Sequence, residues 1–455
     1  MSEIRLRVGA WYEDREIALP VPDDWDVDIR RPATPAPICE AEIERALLQP
    51  VAQRPLSEVA AGCRRPVVIL DDLTRPTPAG VVIPYLLSQL RAAGIPPAAV
   101  TLLMGGGTHQ PAPVDSVRLK AGPEAGACRL VVHDPGRGVT VGRTSFGTPV
   151  IVDPEVARAD LVIGVGGVYP QHSVGFGGGS KLLLGVLQRR SIVGLHYGHS
   201  SVGGRYSLDN DFRGDLDEMA VIAGMRWTVT LHVDADRRVV RAVAGDPLAY
   251  HAEAAAFSLA AYEATLPGDA DVVIANAYPM DVSLTFARSK GLAPLHQERC
   301  GASRILIAAC PEGLGRHGLF PYLNGPSFER QRHLLRRLSV VKTRTLPAKA
   351  LGRLRRRRPV RPAASVAPAA VVPAYGNVPA RQPVRLYLPG GGGRDLDPHL
   401  EHLHGSRDWS EVVAAITTEQ DRRERLSVAV YTCSPLQCLA FTGTEDTAFL
   451  AQATA

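Results

Sequence analysis

Residues 172–185 read HSVGFGGGSKLLLG, a run of glycines that delivers Lys181 with His172 nine positions before it. Glycine lets a backbone approach a ligand closely, and a lysine presented there acts as a phosphate counter-charge or as a nucleophile. The loop departs from the phosphate-binding pattern G-x-x-x-x-G-K-[ST], since Ser180 replaces the final glycine and Leu182 the hydroxyl residue. Backbone N–H groups of Gly177, Gly178 and Gly179 at a helix N-terminus still suit a phosphate. His109, in GGGTHQP, also sits beside three glycines. Any one of the 13 histidines is more often structural or surface than catalytic. His109 and His172, however, follow predicted strands; on opposite faces of a bound carbon they would make a paired acid and base, because imidazole titrates near neutrality.

Further candidates bind anions or metals. Arg75, in DDLTRPTP, offers a guanidinium fork for a carboxylate or phosphate; a salt bridge with Asp71 or Asp72 is the alternative. Lys290 reads as a second anion clamp or as a solvated lysine. SIVGLHYGHS spaces His196 and His199 one helical turn apart, a metal-like spacing with no local Cys or carboxylate partner.

The elements that position these residues are short apolar runs: PVVIL (66–70), VTLLM (100–104), DLVIGV (160–165), DVVIA (271–275), RILIAA (304–309), VRLYLP (384–389) and SVAVYT (427–432). Helically spaced stretches lie between several of them, such as AGVVIPYLLSQLRAAG (79–94), which ends at a glycine. Strands alternating with helices predict two α/β domains with substantially parallel sheets. The boundary is expected near YEATLPGDA (262–270), giving domains 1–268 and 269–455. Ligands of open α/β sheets bind beyond the carboxyl ends of the strands. Asp72, Arg75, His109, His172, Lys181 and Lys290 all follow strand ends, so the active site is expected in an interdomain cleft.

Composition excludes several classes. At 455 residues the chain exceeds one ordinary core, and 45% hydrophobic with 21% charged residues suits a soluble globular protein. No run reaches the roughly 18 apolar residues of a membrane span, and the N-terminus lacks an apolar signal region. The seven cysteines form no CxxC pair, so reduced thiols and a cytoplasmic location are expected. Removing the six arginines of RLRRRRPVR (353–361) takes the net charge from +5 to −1. The basic excess is therefore one local run before a Pro/Ala-rich stretch. A solvated segment, with no nucleic-acid partner, is the reading.

In combination, DDLTRPTP, GGGTH, H-x8-K with GFGGGSK, SIVGLH and a distant SKG resemble the lactate racemase family, in order from about residue 66 to 291. The resemblance implies racemisation or epimerisation of a 2-hydroxy acid with a nickel-pincer nucleotide. It implies that Lys181 anchors this cofactor covalently through a thioamide and that His196 completes the nickel ligands, a near-planar set suited to Ni(II). His109 and His172 match the acid/base histidines, Arg75 and Lys290 the binders of the substrate carboxylate, and Asp72 a positioning aspartate. Hydride would leave C2 for the cofactor and return on the other face, with the protein supplying orientation and proton transfer. The implied partners are a small 2-hydroxy acid and cofactor-maturation enzymes.

This sequence departs from the family pattern. The His172–Lys181 and Lys181–His196 spacings are each one residue short, and Ser180 stands where an arginine is usual. Phe286-Ala287 replaces a Tyr-Gln pair before Lys290, which exchanges a polar contact for room and apolarity. The expected substrate is a 2-hydroxy acid other than lactate. Rival readings are an oxidoreductase using free NAD, suggested by GVGG (164–167), and a non-catalytic binder of a nucleotide or hydroxy acid.

Overall fold

The computed structural model describes residues 2–171, 174–199, 206–296, 301–319, 383–420 and 424–440. The arginine run lies outside them, as does His172. The described residues fall into two compact units. One is formed by residues 35–260; the other joins residues 2–34 to the described parts of 261–332 and 370–455.

In the 35–260 unit the strands are β1 (Pro66–Asp71), β2 (Thr101–Gly105), β3 (Arg129–Val132), β4 (Leu161–Gly167), β5 (Met225–Val233) and β6 (Val239–Gly245). They form one sheet in the order β6-β5-β4-β1-β2-β3. Neighbours are parallel except β6, which returns antiparallel to β5. This is the doubly wound order, whose direction reverses between β1 and β4, and a ligand crevice opens where it reverses. The central strands are apolar along their whole length because both faces are covered: Val68, Ile69, Leu70, Leu102, Leu103, Met104, Ile163 and Val165 are all buried. Helices α1 (Ile83–Ala92), α2 (Asp115–Ala121), α3 (Arg189–Gly198) and α4 (Asp211–Ile222) complete the part that concerns the site. As expected, α1 stops at a glycine, Gly94, with φ +83°.

The second unit contains another six-stranded sheet, parallel throughout, in the order Gly405–Ser406, Val384–Tyr387, Ser303–Ile307, Val272–Asn276, Leu426–Tyr431, Trp25–Arg30. Two α/β units with largely parallel sheets were the expectation. The division at 268/269 needs correcting at the N-terminus. Trp25–Arg30 pairs with Leu426–Tyr431, and the hairpin Ser2–Val8/Arg15–Val21 packs Ile4, Leu6, Val8 and Leu19 into that sheet's core. One face of each hairpin strand is buried, so residues 2–34 belong with this unit and not with the 35–260 unit.

One close approach ties the first sheet to the site. The 3-10 helix Gly179–Val186 passes the end of β2 so that a Cβ on Gly185 would lie 2.5 Å from the Gly105 carbonyl oxygen. Gly107 N–H donates to the Gly185 carbonyl at 2.8 Å. Gly185→Ala is therefore expected to lower stability by about 1–3 kcal/mol through overpacking, read from the shift in a urea-unfolding midpoint.

Candidate active site

The carboxyl ends of β1, β2 and β4 carry the chemistry. Asp71 and Asp72 close β1 and part company. Asp71 pairs with the Lys120 ammonium of α2 at 2.6 Å and accepts from the Thr77 hydroxyl at 2.7 Å. Asp72 is buried and accepts from the Thr74 amide at 3.2 Å, from the Thr74 hydroxyl, and from His109 Nδ1 at 2.6 Å. Burial opposes its charge, but the His109 imidazole and the Arg75 guanidinium hold its carboxyl well below the ordinary value.

His109 is brought there by the glycines after β2. Gly107 turns at φ +56°, and His109 N–H donates to the Gly106 carbonyl at 3.0 Å. With Asp72 ionised, Nδ1 carries the proton and Nε2 is the basic atom. Burial depresses the His109 pKa, Asp72 opposes that, and Arg75 and Lys181 add to it. The imidazole is therefore a neutral base at physiological pH. Asp71 is paired with Lys120, and Arg75 Nη1 donates to the Thr74 carbonyl at 3.1 Å and hydroxyl at 2.8 Å. Asp72, Gly106, Gly107, His109, Gln110 and His133 line a common cleft. A second cleft, among Arg65, Ala99, Arg129, Glu155 and Arg158 at the opposite strand ends, contains none of the candidates.

The glycine loop follows β4. Gly178 and Gly179 have φ of +70° and +55°, and a Cβ on either would meet the Gly167 carbonyl oxygen or His251 Nδ1 at 2.8 Å. Their identity is thus dictated first by the protein's own backbone. The expectation for Gly177 is corrected: its N–H donates to the Tyr169 carbonyl at 2.7 Å and does not face a ligand. Gly178 and Gly179 open the 3-10 helix, where amide donors lack intrahelical acceptors. The loop lies over Arg213 of α4, whose guanidinium donates to the Phe176 and Gly178 carbonyls. Lys181, one turn further, has its pKa pushed from 10.5 to about 7 by burial, then by Arg75 and Arg213, with Asp72 and Asp71 opposing.

His196 and His199 do not form a pair. His199 caps α3 and binds Asp215 at 2.6 Å, with Thr148 on the same carboxylate oxygen. His196 Nδ1 donates to the Ile192 carbonyl at 2.8 Å, and its ring packs edge-on against Phe212. That bond fixes the proton on Nδ1 and leaves the lone pair on Nε2. Among the described residues no three His, Cys, Asp or Glu side chains form a metal cluster.

Lys290 belongs to the other unit, near the end of the helix Leu284–Gly291, where it is partly exposed and Phe286 and Ala287 are buried. The GVGG glycines do not form a loop after a strand. They lie within β4, where Gly164 and Gly166 pack against Leu182, so the dinucleotide-loop reading loses its support. Sequence reasoning missed Arg213, Lys120 and His251. Each sits in an ordinary helical stretch with no local motif, and only burial beside the site marks it.

Residues 12–204 match the model of the lactate racemase N-terminal domain. The lactate racemase of Lactiplantibacillus plantarum is 28% identical over 291 residues, covering 61% of this chain and 68% of that protein. Residues 12–204 of the chain are thus similar to a lactate racemase N-terminal domain. The lactate racemase of Thermoanaerobacterium thermosaccharolyticum is 26% identical over 321 residues, 67% of this chain and 74% of its own length. The solved structure of the lactate racemase apoprotein from that organism shares the fold, with a TM-score of 0.68 at 20% identity over 97% of this chain and 100% of that one. A protein from Thermotoga maritima has a TM-score of 0.56 at 14% identity, over 90% of this chain and all of that one. The matched segment spans Asp72, Arg75, His109, Lys181 and His196. No helix among the described residues is long and apolar enough to cross a membrane.

Proposed function

We propose that this chain racemises or epimerises a 2-hydroxy acid with a nickel-pincer nucleotide anchored at Lys181. The observation that carries the reading is the arrangement at the ends of β1, β2 and β4. A carboxylate-oriented imidazole stands beside an arginine and a lysine whose amine is neutral above about pH 7.

The residues present fit the cofactor. The amides opening the 3-10 helix suit its phosphate. Arg213 Nε and both nitrogens of His251 are buried without a partner among the described residues. The Arg213 N–H and the single N–H of a neutral His251 call for an acceptor, and the other His251 nitrogen for a donor. Lys181 is the anchor, and His196 offers Nε2 to the metal. When bound, that group supplies a reversible acceptor for the C2 hydride.

The chain's own residues do the rest. Arg75 holds the substrate carboxylate in a bidentate fork, and Lys290 is assigned to the same anion. His109 Nε2 takes the hydroxyl proton, with Asp72 holding the tautomer and steadying the imidazolium that forms. His172 is assigned the same duty on the opposite face. Asp72 supports the base without titrating at physiological pH, because its carboxyl stays ionised.

Intact mass and nickel content, after co-production with cofactor-building enzymes, test the reading. A nickel-bearing adduct that is absent from Lys181→Ala is expected. No adduct, while a lactate racemase treated alike is loaded, would overturn it. Phe286 and Ala287 favour a substrate larger or less polar than lactate. A screen of short, aromatic and polyhydroxy acids is expected to rank another 2-hydroxy acid first, and lactate at the top would refute that preference.

A further inference from the structure

We propose that Lys120 is a positioning residue for this site, acting through the loop 71–77 that presents Asp72 and Arg75. A lysine near the end of a short helix ordinarily extends its ammonium into water. Here the side chain is 0% exposed. Its Nζ lies 2.6 Å from Asp71 Oδ1 and donates to the Arg75 carbonyl at 2.9 Å and to the Asp72 carbonyl at 3.2 Å. An ammonium has three N–H donors, and three acceptors surround this one.

Two of those acceptors are the backbone carbonyls of the very residues that orient His109 and bind the substrate anion. The network continues across the sheet. Thr77 donates to Asp71 and lies 3.0 Å from the Tyr169 hydroxyl. The Tyr169 carbonyl in turn accepts the Gly177 N–H at 2.7 Å. One buried polar chain thus fastens the Arg75 loop and the start of the Lys181 loop to α2.

Stability alone is a poor reason for such a group. Buried ion pairs are often no better than apolar side chains of equal volume, because desolvation offsets the attraction. What an apolar residue cannot do is hold two carbonyls at fixed positions. A displacement of about 1 Å at a substrate-positioning group is enough to cost roughly 100-fold in rate.

The test compares Lys120→Met with Lys120→Met/Asp71→Asn, in which no buried charge is left unpaired should the single variant fail to fold. Two readouts are taken, and only the second rests on the racemase reading. Hydrogen exchange of the full chain is expected to accelerate about 10-fold or more across 72–77 while β1 and β4 stay protected. In cofactor-loaded protein, kcat/KM is expected to fall on the order of 100-fold. In an Arg75→Lys background the same change is expected to cost less than about threefold, because the two residues act as one unit. Unchanged exchange across 72–77 in the folded double variant would overturn the proposal, as would a full loss persisting in the Arg75→Lys background. A parent protein without turnover counts against the racemase reading alone, and the exchange pattern still decides the role of Lys120.

Discussion

Loaded with cofactor, a His109→Gln variant turns over its 2-hydroxy acid about 10²–10⁴-fold more slowly than the parent, the usual worth of a positioned acid/base. Glutamine preserves length and can still hydrogen-bond Asp72, but it has no lone pair that accepts a proton near neutral pH. Nickel content and adduct mass are expected to be unchanged, because His109 is assigned no cofactor contact. Asp72→Asn separates orientation from basicity. The carboxylate raises the His109 pKa against burial, so removing it lowers that pKa further. The acid limb of the kcat/KM profile then moves to lower pH, and the plateau drops because the Nδ1–H tautomer is no longer enforced. Steady-state kinetics across the pH range check both effects. A His109→Gln enzyme within about threefold of the parent would remove His109 from the acid/base role, since a positioned group is worth at least about 100-fold.

The Lys181 amine reacts with an acylating reagent in the apo protein with a midpoint near pH 7, well below its ordinary 10.5. The sign follows from burial and from Arg75 and Arg213, all of which disfavour the ammonium more than Asp72 and Asp71 favour it. Below the midpoint the amine is protonated and inert; above it the free lone pair is available. Pulse labelling at a series of pH values, read as acylation of the peptide containing Lys181, gives the curve directly. Arg213→Gln is expected to move the midpoint upward by removing one of the two cations. A midpoint near 10.5 would mean that the buried environment drawn here is wrong. Lys181→Ala abolishes both labelling and the cofactor adduct, the larger of the two losses.

Much of the fold was legible because strand runs such as PVVIL and DLVIGV are apolar on both faces, a pattern that follows from burial under helices on each side. The site was legible for a related reason. Glycines clustered after strand ends mark backbone that must turn sharply, and Gly107, Gly178 and Gly179 do adopt positive φ. Chemistry-bearing residues beside such glycines, His109 and Lys181, could be named from the chain alone. In the sequence the N-terminal segment falls to the wrong unit because Trp25–Arg30 finds its sheet only by pairing with Leu426–Tyr431, far later in the chain.

What the amino-acid order determined by itself is therefore the local part: strand runs, turns, and residue types capable of acid/base, anion-binding and anchoring roles. Only the tertiary structure decided the partnerships. Asp72 serves His109 while its neighbour Asp71 serves Lys120, and His199 is taken up by Asp215 while His196 bonds the Ile192 carbonyl. Those choices depend on distances between residues far apart in the chain. They also depend on burial, which makes an unpaired charge costly and so selects one partner from several plausible ones.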